Sequence, residues 1–206
     1  MNLTVLHQDD IQYPAELRRY LGAEALESLV ALGNLDILQR RTLALFCSAK
    51  CPGRAILQTH DLAQSLRAAG IPTISGFHSS VERECLTILL RGTQPIIICP
   101  ARSIERMRIP VVFKQPLDQG SLLLLSPFPE TVRRVTLQTA AYRNKLVAAL
   151  AGAIFVAHAE PSGKTEQLCK DVLAWGKPLY ALSSSANILA LGAQPLDLDE
   201  IHKLAY

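Results

Sequence analysis

From Leu43 onward the sequence keeps returning to one unit: a run of four to six mostly apolar residues, a polar turn, then a stretch with apolar positions at helical spacing. The runs are LALFC (43–47), PTIS (72–75), PIIIC (95–99), LLLLS (122–126), AIFVAH (153–158) and PLYAL (178–182). Between them lie AILQTHDLAQSLRAAG, SSVERECLTILLRG, VRRVTLQTAAYRNKLVAAL and TEQLCKDVLAW, which read as helices. Runs this short and this apolar suit strands buried on both faces, and helical crossovers between successive strands make the strands parallel. The pattern predicts an α/β fold over residues 42–206: an open, mostly parallel sheet of about six strands with helices on both faces. Such sheets bind ligands outside the carboxyl ends of their strands. The turns after Cys47, Ser75, Cys99, Ser126, His158 and Leu182 are therefore where a site is expected. Upstream, residues 13–40 carry apolar positions at helical spacing punctuated by Gly22 and Gly33, and predict a small helical appendage over 1–41.

The apolar fraction of 49%, with only 5% aromatic residues, comes mainly from Leu, Ala, Ile and Val, the usual lining of a sheet covered by helices. A formal net charge of +3 neither demands nor excludes a polyanionic partner. The start, MNLTVLHQDD, has no basic segment followed by an apolar run, and the apolar stretches are too short or too interrupted to span a bilayer. A cytoplasmic protein with no membrane partner is expected. Cys47, Cys51, Cys85, Cys99 and Cys169 form no paired CxxC framework, so buried reduced thiols are expected and no metal site. The least regular segment, 101–120, is basic through Arg102, Arg106, Arg108 and Lys114, and reads as a solvated surface loop before a nucleic-acid patch.

Four polar turns carry the candidate site. In PSGKTE, Ser162, Gly163, Lys164 and Thr165 follow a late strand and open a helix. A Walker A loop requires a glycine where His158 stands, so that reading fails. The alternatives are an anion held on the helix N-terminus and ordinary capping by Ser162 or Thr165. In SGFHSSVE, Ser75 and Gly76 permit a sharp turn or a close ligand approach, His78 offers a donor, and Ser79 or Ser80 is expected to cap the next helix. Arg143, Asn144 and Lys145 read as a charged first turn of an apolar helix, where positive charge is unfavourable unless an anion compensates. After the first strand, CSAKCPG supplies Ser48 and Lys50 but no GxGxxG. Among acidic residues, Glu82, Glu160 and Glu166 lie near these turns, yet no GxSxG, HExxH or Ser/His/Asp arrangement is present. Binding therefore outranks catalysis, and neither catalytic residues nor a cofactor are assigned.

Taken in order, these segments resemble the DNA-processing protein A family, also called Smf, over nearly the whole chain. The resemblance is carried by Tyr13-Pro14, by LVALGN (29–34), by Ser75-Gly76 within SGFHSSVERECL, and by Phe128-Pro129. It continues in Arg143-Asn144-Lys145, in Ser162-Gly163, and in Asn187, Gly192 and Ala193 of ANILALGAQPL. Of the family's first-strand GSR, Ser48 matches, Ala49 occupies the arginine position and Lys50 follows it. The family belongs to a wider Rossmann-like group that includes the cytokinin-activating phosphoribohydrolases, whose PGGxGTxxE is only loosely comparable with PSGKTE.

The resemblance implies binding of single-stranded DNA in DNA uptake or recombination, with a RecA-type recombinase as further partner and a homodimer as the assembly. Implied contacts are Lys50, Arg143, Asn144 and Lys145, with Ser75, Gly76, Ser162 and Gly163 as turn elements. It also implies no room for the additional C-terminal domain of many members. Two alternatives stay open: a nucleotide-binding enzyme such as a nucleoside monophosphate phosphoribohydrolase, and a ligand-sensing module that has lost both activities.

Overall fold

The structure is a computed structural model that describes residues 3–196 and Ile201. In chain order the elements are β1 (Thr4–His7), α1 (Ala15–Leu21), β2 (Ser28–Gly33), β3 (Leu43–Cys47), α2 (Gly53–Ala68), β4 (Thr73–Ser75), α3 (Ser80–Leu89) and β5 (Ile96–Ile98). There follow α4 (Val111–Asp118), β6 (Leu122–Ser126), α5 (Leu137–Leu150), β7 (Ala153–His158), α6 (Lys164–Ala174), β8 (Leu179–Ala181), α7 (Ala186–Ala190) and β9 (Gln194–Pro195). Among the described residues no helix is long and apolar enough to cross a membrane.

All six runs read as strands are strands, and they pair in parallel in the order β6-β5-β4-β3-β7-β8. Side chains alternate between the faces. Ala44, Phe46, Ile74, Ile97, Leu123, Ile154 and Val156 pack beneath α1, α5, α6 and α7. Leu43, Leu45, Ile96, Ile98, Leu122, Leu124 and Phe155 pack beneath α2, α3 and α4. Phe155 is fully buried, which is worth about 2–3 kcal/mol relative to exposure.

Two expectations are corrected. Nine strands, not about six, form one sheet among the described residues. Within the stretch expected as a helical appendage, β1 and β2 instead extend the sheet past β6: β2 pairs antiparallel with β6, and β1 antiparallel with β2. SLVALG is a strand because Leu29 and Ala31 face one core while Val30 and Leu32 face the other. Gly33 ends it at φ +121°, with the Leu122 carbonyl oxygen where a side chain would project, so only glycine lets β2 close on β6 there. The short helix α1 packs on α5. Part of the segment expected as a surface loop is helical too, as α4, and contains Pro116.

Candidate nucleic-acid interface

The strand order reverses between β3 and β7, since each following strand is added outward from one or the other. Ser48, at the end of β3, closes this junction. Its N–H donates to the His158 carbonyl at 2.9 Å, its hydroxyl donates to Thr165 Oγ1 at 3.1 Å, and it accepts the Glu160 N–H at 3.1 Å. Gly163 is the N-cap of α6, and its N–H donates to the Glu160 carbonyl at 2.9 Å. A Cβ on Gly163 would come within 2.8 Å of that carbonyl oxygen.

Neither Ser162 nor Thr165 caps the helix, contrary to that alternative. Ser162 lies at φ +59° and donates its N–H to Glu166 Oε2 at 3.2 Å, while the Thr165 hydroxyl is turned to Ser48. Glu166 also pairs with Lys170 at 3.0 Å; Lys170 and then the Ser162 N–H hold its carboxyl below the usual range. Lys164 is exposed, and its ammonium has no partner among the described residues.

The second turn is built around two buried polar groups. Ser75 is fully buried; its hydroxyl donates to the Leu45 carbonyl at 2.7 Å and accepts the Phe77 N–H at 3.1 Å, which fixes the chain reversal after β4. Ser79 caps α3 in a reciprocal capping box with Glu82. Glu82, 6% exposed, does more than cap. One carboxylate oxygen accepts the Cys47 N–H at 3.0 Å, and the other accepts the N–H groups of His78 at 2.7 Å and Ser79 at 3.3 Å. It ties the end of β3 to the turn after β4 and leaves the His78 ring exposed at the rim.

Arg143 enters this turn from α5. It is 4% exposed, donates Nη1 to the Cys99 carbonyl at 2.9 Å and Nε to Asn144 Oδ1 at 2.8 Å, and lies against Gly76, where a Cβ would overlap the guanidinium. No carboxylate comes within ion-pair distance of it among the described residues. Burial lowers its pKa, opposed by the fields of Glu82 and Cys99, and a guanidinium remains cationic in a protein. The neighbouring Cys99 thiol is pushed up to about 12 by burial.

The expectation that Arg143, Asn144 and Lys145 open a helix is corrected: α5 starts at Leu137 behind a Thr136–Thr139 capping box, so all three are mid-helix. Successive residues of a helix point about 100° apart. Arg143 consequently points to the turns after β4 and β5, whereas Lys145 turns to the segment just after α1 and pairs with Glu24 at 3.0 Å. The structure does not bring Lys145 to the other candidates. Lys50 is on the correct rim, exposed and 4.0 Å from Glu160. The same rim carries cations not assigned to the site from sequence: Arg54 in the first turn of α2, Arg102 and Arg108 on the loop after β5, and Arg134 on the loop after β6. Among the described residues none of these four side chains has a partner. Their shared location follows only from knowing which strand ends neighbour one another. The five cysteines are free thiols, and among the described residues no three of His, Cys, Asp and Glu are grouped to hold a metal.

A mostly parallel sheet covered by helices on both faces, with its strand order reversing between β3 and β7, is a Rossmann-like fold. A family model for DNA recombination-mediator protein A matches residues 4–194, and the chain belongs to that family. Among solved structures, the chain is similar to DNA processing protein A of Streptococcus pneumoniae, with a TM-score of 0.78 at 19% identity, covering 95% of this chain and 71% of that one. It is similar to the Helicobacter pylori DNA processing protein A, whose structure concerns a single-stranded DNA binding mode, with a TM-score of 0.76 at 17% identity over 98% of this chain and 95% of that one. The molybdenum cofactor carrier protein of Chlamydomonas reinhardtii shares the fold more distantly, with a TM-score of 0.52 at 12% identity over 80% of this chain and 98% of that one. Comparison with curated proteins returned no match.

Proposed function

We propose that the chain binds single-stranded DNA along the carboxyl edge of its sheet, holding phosphates with little selection among bases, in DNA uptake or recombination in the cytoplasm. The observation that carries this reading is Arg143. A cation buried at 4% exposure with no carboxylate partner is expensive unless an anion completes it, and it is held between the turns after β4 and β5, at the carboxyl edge of the sheet. Ser48, Ser75, Gly76, Asn144, Gly163 and Thr165 shape the turns, while Lys50, His78, Ser162 and Lys164 stand at the rim with Arg54, Arg102, Arg108 and Arg134. A strand laid across that rim would meet separate cations rather than one enclosed pocket, which suits backbone contacts. Transfer of the strand to a RecA-type recombinase, and action as a homodimer, follow from family membership as part of the same proposal.

For the hydrolase alternative, neither Glu82 nor Glu166 is disengaged. Glu82 accepts three backbone N–H groups, and Glu166 is shared between Ser162 and Lys170. Anisotropy of a labelled oligonucleotide at about 50 and 200 mM salt tests the DNA reading. Affinity should fall steeply with salt. Lys164→Ala with Arg102→Ala should weaken it and flatten the salt slope by about 0.7 for each phosphate that is no longer neutralised. Absent or salt-insensitive binding by the unaltered protein would sink the reading.

A further inference from the structure

The opposite edge of the sheet holds a concavity that the crevice does not use. A cavity of about 540 Å³ opens beside the amino ends of β3, β7 and β8, between α1 and the carboxyl end of α5. That volume falls in the range of roughly 300–1,000 Å³ typical of small-molecule sites. Arg19, Arg40, Arg41 and Lys177 line it, against one acidic residue, Glu16. Among the described residues neither Arg19 nor Arg40 forms an ion pair, and with the buried Lys177 they give the concavity a positive lining against the single carboxylate of Glu16.

Two features distinguish this cluster from solvated surface arginines. Lys177 is 7% exposed and meets no carboxylate: its ammonium donates to the carbonyls of Ala148 and Ala149 at 2.8 and 2.7 Å and lies 4.3 Å from the centre of the Tyr20 ring. Its positive charge is therefore fixed within the wall and not neutralised by an acid in contact. Tyr20 is in turn fixed by ring contact with Trp175 at 5.5 Å, and carries the Arg19 guanidinium 5.2 Å from its centre. The cavity thus combines the anchored ammonium of Lys177 and an aromatic wall with the guanidinium groups of Arg19 and Arg40, and its lining includes the apolar Ile97 and Ala151.

We propose that this amino-edge cavity binds a small phosphorylated anion, independently of the crevice at the carboxyl edge. Guanidinium forks match phosphate oxygens two at a time, which favours a phosphate over a monocarboxylate. A volume of about 540 Å³ suits a compact ligand. The proposal does not rest on the DNA reading, and either can fail alone.

Trp175 is the only tryptophan in the chain, so its emission reports on Tyr20 and the cavity beside it. Titration with inorganic pyrophosphate at constant ionic strength, read by Trp175 emission and in parallel by isothermal calorimetry, should show saturable binding. Arg19→Gln combined with Arg40→Gln should weaken that binding at least about tenfold, as expected when charge-assisted hydrogen bonds to the anion are removed. Lys164→Ala at the other rim should leave it unchanged, and a single-stranded oligonucleotide should not displace pyrophosphate. Saturable binding by neither readout overturns the proposal. So does equal binding by the double variant, loss of binding in Lys164→Ala, or displacement by the oligonucleotide.

Discussion

The Arg143 guanidinium occupies the volume in which Gly76 would carry a Cβ, with Nε at 2.6 Å from that position and Cζ and Nη1 in outright overlap. Gly76→Ala should expel Arg143 and take its donors from the Cys99 carbonyl and Asn144. Overpacking and an orphaned buried acceptor each cost about 1–3 kcal/mol, so a loss of at least about 1–3 kcal/mol in urea unfolding is expected, with weakened DNA binding. The decisive comparison is a double-mutant cycle. Arg143→Ala should make Gly76→Ala less costly, and strict additivity would show that the two residues do not compete for one space.

Glu82 accepts the N–H groups of Cys47, His78 and Ser79 while buried. Glu82→Gln replaces one of its oxygens by an NH2 group that faces backbone donors, so the variant should lose about 2–3 kcal/mol of stability. The His78 turn should also gain hydrogen exchange at the Cys47, His78 and Ser79 amides. A loss below about 0.5 kcal/mol, the range of an ordinary surface substitution, would contradict this role.

The parts of the molecule legible in the sequence are those where one physical signal dominates. The six apolar runs read as buried strands because each is short, bounded by a polar turn and separated from the next by a stretch of helical spacing, and the cap of the helix after β4 was narrowed to Ser79 or Ser80, of which Ser79 caps it. SLVALG failed for the opposite reason. A short run apolar on both faces has the same composition in a buried strand as in a helix, and neighbouring helical spacing decided it wrongly. Gln194–Pro195 is too short a strand to carry any periodicity. Arg143 and Lys145 are nearly adjacent in sequence, yet helix geometry sends one into the crevice and the other to Glu24. The role of Gly76 was legible as a close approach, but its occupant, a side chain from α5, depends on tertiary packing that no local motif encodes.

Lys177 gives a pH dependence of determined sign. Burial lowers its pKa from 10.5 to about 8, opposed by the field of Glu16 and reinforced by that of Arg19. Between those values the unfolded chain holds a proton that the folded chain has released, so stability rises with pH across the window from about 8 to 10.5 and is insensitive to this group below it. The neutral amine keeps two N–H donors for the Ala148 and Ala149 carbonyls, so deprotonation breaks neither bond. Relative to Lys177→Met, the unaltered protein should gain about 2 kcal/mol across the window, less than the full linkage value because the cavity mouth admits water. Urea unfolding of both proteins from pH 7 to 10.5 checks it. Parallel curves would assign the dependence elsewhere.

Ser162 marks the strained point of the loop before α6. Its φ of +59° belongs to the left-handed region, where a Cβ is crowded by the following carbonyl at a cost of roughly 1–2 kcal/mol. Its N–H, not its side chain, makes the bond to Glu166, so replacing the side chain leaves that bond available. Ser162→Gly removes the crowding but adds freedom to the unfolded chain worth about 0.5–1 kcal/mol, for a net gain near 0.5 kcal/mol, or roughly 1–2 °C in Tm. Ser162→Val adds a β-branched side chain in the same conformation and should lower Tm by about 2–4 °C. Thermal unfolding should therefore rank the three as Gly at or above Ser, and Ser above Val. A valine variant as stable as the serine parent would mean that the loop leaves the left-handed conformation at no cost, and that the hydrogen bond from Ser162 to Glu166 does not hold it there.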